Sequence, residues 1–534
     1  PPPPPLFFFH EEAGIRDSVA SRGLGDVYKR QRGSYWRIYM YDRFAMNNTL
    51  SQLLREIIKI EDIPDIPISG ISINSSDITP GELYIAIKGS NYDGHEFIPE
   101  AIKNGASAVI TDNNYVEKQP IPIIKVTNTR KVVSRTAAEF YDHPTKKMNV
   151  VGITGTNGKT STASIITSIL KSAGKKTAQI GTLGIIADGY SANKSLTTPD
   201  SITLHQNLMD LYNDGFTHIV MEASSHALDQ YRVNDIDFNY TVFTNLYPEH
   251  LDYHGSIENY FKAKIKLFTS YPNSIAAIIN IDTEYGKVIS DKCSVPVINT
   301  SMVSNTDISF LNYQISLNGI HGTIQAGEIS YDIESSMIGA FNAENILCAA
   351  AVSNVMGISK KAIEDGINSC NSIPGRMETF SLSSGAIAIV DYAHTPDAYN
   401  KVLSTIKNLM VDSEANIFIV FGCGGNRDKS KRSQMAAIVE QYATHSFVTP
   451  DNPRNENLSE INDEIISGFK KNNFDVFIDR EKGLKTALDK AVKNDIIIAL
   501  GKGRENYQEI DGELISYSDI NIICLLYTSD AADE

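Results

Sequence analysis

The chain is short of cysteine, short of positive charge and free of long apolar runs. Its five cysteines are scattered singly among 534 residues, with no Cys-x-x-Cys pair. That argues against a disulfide framework or a cysteine zinc site and fits reduced thiols. Lysine and arginine number 48 against 64 aspartates and glutamates, a formal net charge of −16. A nucleic-acid partner normally shows as a basic patch, so this balance argues against that class, though not against a nucleotide substrate. No apolar run approaches the ~20 residues that span a bilayer, so membrane insertion is not expected. No internal repeat and no long linker is visible. What remains is ordinary for a soluble globular protein, with 42% hydrophobic and 21% charged residues. The length exceeds what one core can organise, and two to four domains are expected.

The stretch with the clearest chemistry is Gly155-Thr156-Asn157-Gly158-Lys159-Thr160. It follows an apolar run, Val150 to Ile153, that reads as a buried strand. It precedes Ser161 to Leu170, whose apolar spacing suits a helix. Strand, glycine loop and helix with Lys-Thr at the turn make a phosphate cradle. Glycines admit backbone N–H groups to the oxygens, the lysine supplies charge, and the threonine hydroxyl can hold Mg²⁺.

Other polar clusters follow other apolar runs. Leu50 to Ile60 and His95 to Gly105 read as helices. Ile71 to Ile73, Leu83 to Ile87 and Ala108 to Ile110 read as strands of a small α/β domain ending near Met148. Ile219 to Glu222 reads as a strand delivering Glu222, a carboxylate suited to Mg²⁺, with a helix-capping acid as the alternative. Thr241 to Phe243 feeds Glu249, His250, Asp252 and His254, and Ala276 to Asn280 leads to Asp282. Ile308 to Ile338 alternates with period two and predicts an antiparallel patch; Gly339 to Val355 returns to helix. Ile387 to Val390 leads to Asp391, Ile417 to Phe421 to a glycine cluster, Phe447 to Thr449 to Asp451, and Ile496 to Leu500 to Gly501. Polar clusters at the C-terminal ends of parallel strands are where open α/β sheets bind ligands.

The two ends read differently. Residues 1–9 are a proline run and a phenylalanine run without the basic start of a signal peptide. Ser21 to Gln31 and Cys524 to Glu534 resemble the translations of complementary ends of a transposase-type sequencing adapter. Residues 1–31 and 524–534 are therefore expected to be read-through, with Met46, or else Met40, as the natural start.

Taken together, GTNGKT, MEASSHALDQYRV, HLDYHG, AKIKLF, PGRMETF, VDYAHTPDA, FGCGGNRDKSKR, DNPRNE and GKGRENYQ resemble the Mur ligases of bacterial cell-wall synthesis. Within them the pattern is most similar to the UDP-N-acetylmuramoyl-tripeptide synthetases. The resemblance runs from about Leu50 to about Asp519. It implies an α/β, three-domain Mur ligase architecture with a central P-loop ATPase-type parallel sheet and a Rossmann-like C-terminal domain. The expected limits are 46–147 for a UDP-sugar-binding domain, 148–373 for the ATP-binding domain and 374–523 for the amino-acid-binding domain.

It also implies residue roles. Gly155, Thr156, Asn157, Gly158, Lys159, Thr160, Ser161, Asn280, Arg376 and Asp391 would contact ATP. Ile73, Ser75, Ser90, Asn91, Tyr92, Thr197, Thr198, Ser224, Gln230 and Arg232 would contact UDP-N-acetylmuramoyl-L-alanyl-D-glutamate. Thr160 and Glu222 would hold one Mg²⁺, and His250 and a carbamylated Lys264 a second or the γ-phosphate through it, with Lys159, Lys264 and His250 catalytic. Arg427, Asp451, Asn452, Pro453, Arg454, Gly501 and Glu505 would hold meso-2,6-diaminopimelate. The chain departs from the family pattern at Asn74, Ser76, Leu196, Glu249 and Arg504. Plain alternatives are a surface lysine for Lys264 and a surface ion pair for Arg454.

The implied reaction is ATP-dependent ligation of meso-2,6-diaminopimelate to the muramoyl dipeptide through an acyl phosphate, with domain closure, by a cytoplasmic monomer. Arg454 favours diaminopimelate over lysine because a guanidinium holds a second carboxylate by two parallel bonds and repels an ammonium. Ligation of L-lysine, a folylpolyglutamate-synthase-like ligase and a nucleotide-binding switch without chemistry are the alternatives.

Overall fold

The computed structural model describes residues 48–57, 63–89, 92–113, 119–190, 196–370, 373, 375–410 and 414–527. The expected read-through at 1–31, both expected start codons, and Ser90, Asn91 and Pro374 lie outside the described residues. So does most of the C-terminal read-through; Cys524 to Tyr527 complete the helix Asp519–Tyr527. The chain divides into two compact units, Pro1–His143 and Pro144–Glu534.

The first unit carries a four-stranded parallel sheet, β1 (Ile71–Ser72), β2 (Leu83–Ile85), β3 (Ala108–Thr111) and β4 (Ile123–Lys125), in that order. The helix expected from His95 begins as a 3-10 turn, Gly94–Phe97, and becomes α-helical only over Ile98–Lys103, with Pro99 in its first turn. Proline is tolerated there because its missing N–H has no intrahelical partner at that position. The helix expected over Leu50 to Ile60 is α-helical over Leu50–Leu54; its last three residues lie outside the described ones.

The second unit holds two large sheets. The first has ten strands: β5 (Asn149–Thr154), β6 (Thr177–Gly181), β7 (Gly184–Ile186), β8 (His218–Glu222), β9 (Tyr240–Phe243), β10 (Ala276–Asn280), β11 (Val297–Ser301), β12 (Ile308–Ser316), β13 (Gly319–Ala326) and β14 (Ile329–Ser335). Their order is β14-β13-β12-β11-β10-β9-β5-β8-β6-β7. Pairing is parallel from β12 through to β6. Both flanks turn antiparallel, so the period-two stretch is an edge extension of this sheet. Successive β5 residues point to opposite faces. Val150 joins the core with Ile219 and Leu208, while Val151 and Ile153 join Ile166, Ile169 and Ile346 from helices Lys159–Ser172 and Ala340–Val355. A sheet buried on both faces has apolar residues at every position, which is why these strands read as unbroken runs.

The second sheet runs β15 (Glu378–Ser381), β16 (Ile387–Asp391), β20 (Ile496–Leu500), β17 (Ile417–Phe421), β18 (His445–Val448), β19 (Phe474–Val476). It is parallel except for β15. A hairpin, β21 (Tyr507–Ile510) and β22 (Glu513–Ser516), follows it.

Candidate functional site

The phosphate loop leaves β5 at the middle of the ten-stranded sheet. Gly158 has φ of +85°, a left-handed conformation that glycine adopts without a Cβ penalty. A Cβ at Gly155 would collide with Thr244 Oγ1. Residues following β9 buttress the loop: Asn157 N donates to Asn245 Oδ1 at 2.9 Å, and Thr244 Oγ1 donates to the Asn157 carbonyl at 2.6 Å. Lys159 folds back, its Nζ donating at 2.9 Å to the carbonyls of Gly155 and Thr156. Burial lowers its pKa, and the charges of Glu222 and Glu249 oppose that.

The loop opens into a cavity of ≈ 360 Å³. On one side, one strand away, stands Glu222, the last residue of β8 and only 1% exposed. It accepts Thr160 Oγ1 at 2.9 Å, Thr182 N at 3.0 Å and Thr182 Oγ1 at 3.2 Å. On the other side, two strands away, Asn280 ends β10 and donates Nδ2 to Glu344 Oε2 at 3.3 Å. Burial, reinforced by the charge of Asp282, pushes the Glu344 carboxyl up to about 7. The second sheet closes the cavity with Arg376 and Asp391. Asp391 accepts the N–H groups of Met377 and Ala393, each at 2.7 Å, and burial raises its pKa against the pull of Arg376. Lys401 Nζ lies 4.0 Å from the centre of the Tyr247 ring.

A polar cluster adjoins Glu222. Thr198 Oγ1 donates to the Glu222 carbonyl at 2.8 Å, and Ser224 N donates to that hydroxyl at 3.1 Å. Thr197 pairs with Thr182 through their hydroxyls at 3.2 Å. Arg232 donates to the Thr198 carbonyl at 2.9 Å and to Gln230 Oε1 at 2.7 Å. Leu196, one of the departures from the family pattern, is exposed. The structure thus links Thr198, Ser224, Gln230 and Arg232 into one network at the end of β8, with Thr197 joined to Thr182 beside it.

Lys264, on helix Ile257–Thr269, is buried and donates to the Gly155 carbonyl at 2.7 Å. Burial, then the charge of Lys159, holds its pKa well below the ordinary lysine value. His250 is largely exposed, at φ of +55°, with its ring 4.9 Å from His226. Among the described residues no three His, Cys, Asp or Glu side chains form a metal cage. Mg²⁺ does not need one: it keeps several waters and takes one or two carboxylates plus phosphate oxygens. The paired Thr160 hydroxyl and Glu222 carboxylate, hard oxygen donors beside the phosphate loop, fit that ion.

A second polar site lies beyond β17, β18 and β20. Lys502, fully buried, sits 3.5 Å from Asp451 and 3.2 Å from Glu505, and donates to Asn452 Oδ1 at 3.0 Å. Asn452 Nδ2 donates to Glu505 at 2.9 Å. Arg454, at φ of +54°, donates Nε to Glu509 at 2.9 Å and Nη1 to the Gly425 carbonyl at 2.7 Å. Pro453 is buried, Gly501 has φ of +103°, and Arg427 is exposed on the loop after β17. Arg504 forms a two-pronged ion pair with Glu378.

In the first unit Ile73 is half-buried and Tyr92 is exposed. Ser75 is buried and donates to Glu100 at 2.6 Å. Asn74 caps the turn Ser75–Asp77 and donates to Asp77 at 2.8 Å, closing the loop on itself.

Sequence reasoning did not single out Thr182, Glu344, Lys401, Lys502 or Glu509. Each reaches its site through contacts distant in sequence. Only Lys502 carried a local signal, lying between Gly501 and Gly503 at a strand end.

Family comparisons agree along the chain. Residues 67–141 match the Mur ligase family catalytic domain, 153–353 the Mur ligase middle domain, and 375–503 the Mur ligase glutamate ligase domain. A relative from Aquifex aeolicus, named UDP-N-acetylmuramoyl-L-alanyl-D-glutamate--2,6-diaminopimelate ligase, is 40% identical over 457 residues, covering 85% of this chain and 93% of its own. A solved structure of an enzyme of that name has TM-score 0.67 and 29% identity, covering 90% of this chain and 98% of its own. Folylpolyglutamate synthase from Mycobacterium tuberculosis, solved with ADP and AMPPCP, shares the fold at TM-score 0.57 and 18% identity, covering 69% of this chain and 92% of its own.

Proposed function

Because the chain belongs to the Mur ligase family, we propose that it joins meso-2,6-diaminopimelate to UDP-N-acetylmuramoyl-L-alanyl-D-glutamate, with cleavage of ATP to ADP and phosphate. The observation that carries this is the cavity in which Lys159, Thr160 and Glu222 face Arg376 and Asp391. Its two walls suit the two halves of a nucleotide, phosphates at β5 and ribose and base toward β10 and β16.

The D-glutamyl carboxylate attacks the γ-phosphorus of ATP; ADP leaves and an acyl phosphate forms. The diaminopimelate amine then attacks the acyl carbon, loses a proton and expels phosphate. Such transfers depend on positioning and charge neutralisation. Lys159, released from its loop carbonyls, and Arg376 offset the charge growing on the transferred group. Asp391 accepts from ribose hydroxyls, and Asn280 contacts the base. Thr197, Thr198, Ser224, Gln230 and Arg232 seat the acid; Ile73, Ser75, Ser90, Asn91 and Tyr92 seat the uridine end. Thr160 and Glu222 would hold Mg²⁺, which would supply further positive charge. Lys264, as a neutral amine, adds to CO₂ to give a carbamate and a proton; that carbamate and His250 would hold a second Mg²⁺ or position the γ-phosphate through it. Asp451, Asn452, Arg454, Gly501, Glu505 and Arg427 hold the incoming amino acid. Among the described residues no helix is long and apolar enough to cross a membrane.

The name of the relative at 40% identity supports diaminopimelate over lysine, and Arg454 supplies the physical reason. The folylpolyglutamate alternative rests on a shared fold alone. Phosphate release is the test, with UDP-N-acetylmuramoyl-L-alanyl-D-glutamate and ATP and either meso-diaminopimelate, L-lysine or no amine. Release that depends on meso-diaminopimelate and yields the tripeptide product is expected. Equal release with all three would overturn the reading.

A further inference from the structure

A further cavity, of ≈ 410 Å³, lies at the end of the ten-stranded sheet opposite the phosphate loop. Strands β5, β8 and β9 bring Gly155, Glu222 and Thr244 to the nucleotide end. The first residues of the same strands, Asn149, His218 and Tyr240, line this cavity. β5 spans six residues, so at ~3.3 Å per residue the two sites stand roughly 20 Å apart. Two helix ends form the other walls. Ala173 closes the helix Lys159–Ser172 and Met356 closes Ala340–Val355. After each comes a glycine at φ of +71°, then Lys175 in one case and Ile358 in the other. Ser359 follows Ile358 and caps the helix Lys360–Ser369.

The polar groups facing this space are ones the fold leaves over. His218 and Tyr240 are each only 7% exposed. His218 Nδ1 lies 2.9 Å from Thr217 Oγ1, while its Nε2 has no partner among the described residues. The Tyr240 hydroxyl, the Asn149 side-chain amide and the Lys175 ammonium have none there either. Buried polar groups are normally hydrogen-bonded, so four that line one space and lack partners point to a ligand.

Charge selects its class. Among the described residues Lys175 is the one charged side chain in the lining, with no carboxylate to offset it. Helix C-termini carry partial negative charge, but here the end carbonyls are taken. Leu170 O accepts Lys175 N at 2.9 Å, and Ser353 O accepts Ile358 N at 3.1 Å. The start of Lys360–Ser369 adds positive potential. Burial, then the charge of Lys175, lowers the His218 pKa, as a positive field requires. Lysine can only donate, and the imidazole, phenol and amide can each donate. The cavity is larger than a lone oxyanion needs, and Ala173, Met356 and Ile358 give it an apolar side.

We propose that this cavity is a ligand site separate from the nucleotide cavity, taking a small organic anion whose phosphate or carboxylate head meets Lys175, His218 and Tyr240 and whose apolar body lies against Met356 and Ile358.

The test is calorimetric titration of the full chain with phenyl phosphate, benzoate and phenol, after the nucleotide cavity has been saturated with a non-hydrolysable ATP analogue. Lys175→Met removes a charge from an exposed side chain, and Tyr240→Phe removes only a hydroxyl, so both leave the packing in place. At least one of the two anions is expected to bind the parent, and phenol is not. Affinity for that anion should fall about tenfold or more in each variant, the usual loss of a hydrogen bond to a charged group. Tighter binding of phenyl phosphate assigns a phosphate head, and tighter binding of benzoate a carboxylate. No binding of either anion, phenol bound as tightly as the anions, or affinity that either variant retains in full would overturn the proposal.

Discussion

The side-chain amine of Lys264 donates a 2.7 Å hydrogen bond to the carbonyl of Gly155, the first residue of the phosphate loop. That places a buried amine, depressed in pKa by burial and by Lys159, directly against the glycine loop that follows β5. A free-base amine reacts with CO₂; an ammonium does not. Lys264→Ala is expected to lower phosphate release about 100-fold, the usual cost of removing one electrostatic group from such a site. Acetate or formate, able to enter the vacated space as an anion, should restore part of it. Unchanged activity in the alanine variant would remove the carbamate from the mechanism.

Glu344 gives a stability prediction with a definite sign. Its carboxyl titrates near 7 in the fold against an ordinary value of 4.5, because of burial and then Asp282. The folded state therefore holds this proton more tightly than the unfolded one. The group costs nothing below pH 4.5 and destabilises increasingly as pH rises through 7. Glu344→Gln removes the ionisation. At pH 8 the variant should be more stable than the parent by roughly 2–3 kcal/mol, with the difference vanishing near pH 4.5. Denaturant unfolding at the two pH values measures it, and a pH-independent difference would contradict the assignment.

The second polar site stands on a buried ion pair. Arg480 donates to Asp519 through Nε at 2.9 Å and Nη2 at 2.7 Å, and also to Thr449 Oγ1 and the Leu500 carbonyl, at the strand ends that carry Asp451 and Gly501. Both side chains are fully buried. Arg480→Met leaves a buried carboxylate without its cation and should cost about 3–5 kcal/mol, whereas adding Asp519→Leu should recover much of that loss. Additive losses in the double variant, read by chemical denaturation, would argue against a coupled pair.

The strands were legible because of how they are buried. Ala276–Asn280, Ile417–Phe421 and Ile496–Leu500 coincide with their apolar runs, since parallel strands covered on both faces leave no polar alternation to blur the ends. Thr160, Glu222, Asn280, Asp391 and Asp451 were legible because each lies at or just beyond a strand end or opens a helix. Glu509 was not, because a hairpin 55 residues later in the chain brings it to Arg454. Nor was Thr182, which meets Glu222 across 40 residues. Side chains supplied by long-range pairing leave no local spacing to read. The 3-10 start at Gly94–Phe97 was missed for a local reason: Asp93 caps it through His95 N at 3.1 Å, ahead of Pro99.

That same Asp93 leads to a prediction for the first unit. The His95 ring lies between two carboxylates, Nδ1 2.5 Å from Asp93 and Nε2 3.0 Å from Asp112. Asp112 is itself held by Thr129, through its N–H at 3.1 Å and its hydroxyl at 3.0 Å. Asp93 also pairs across the loop with Lys88. His95 therefore ties Asp93, next to Tyr92, which is proposed to meet the nucleotide sugar, to the helix Thr129–Phe140. Replacing the ring by asparagine removes one of the two carboxylate contacts and should loosen the loop by roughly 1–2 kcal/mol. If loop order is needed only to bind the sugar nucleotide, KM for UDP-N-acetylmuramoyl-L-alanyl-D-glutamate rises about tenfold while KM for ATP and for diaminopimelate stay put. Three Michaelis constants on one variant decide the matter: a common rise in all of them would mark general unfolding, and no rise in any would release His95 from a positioning role.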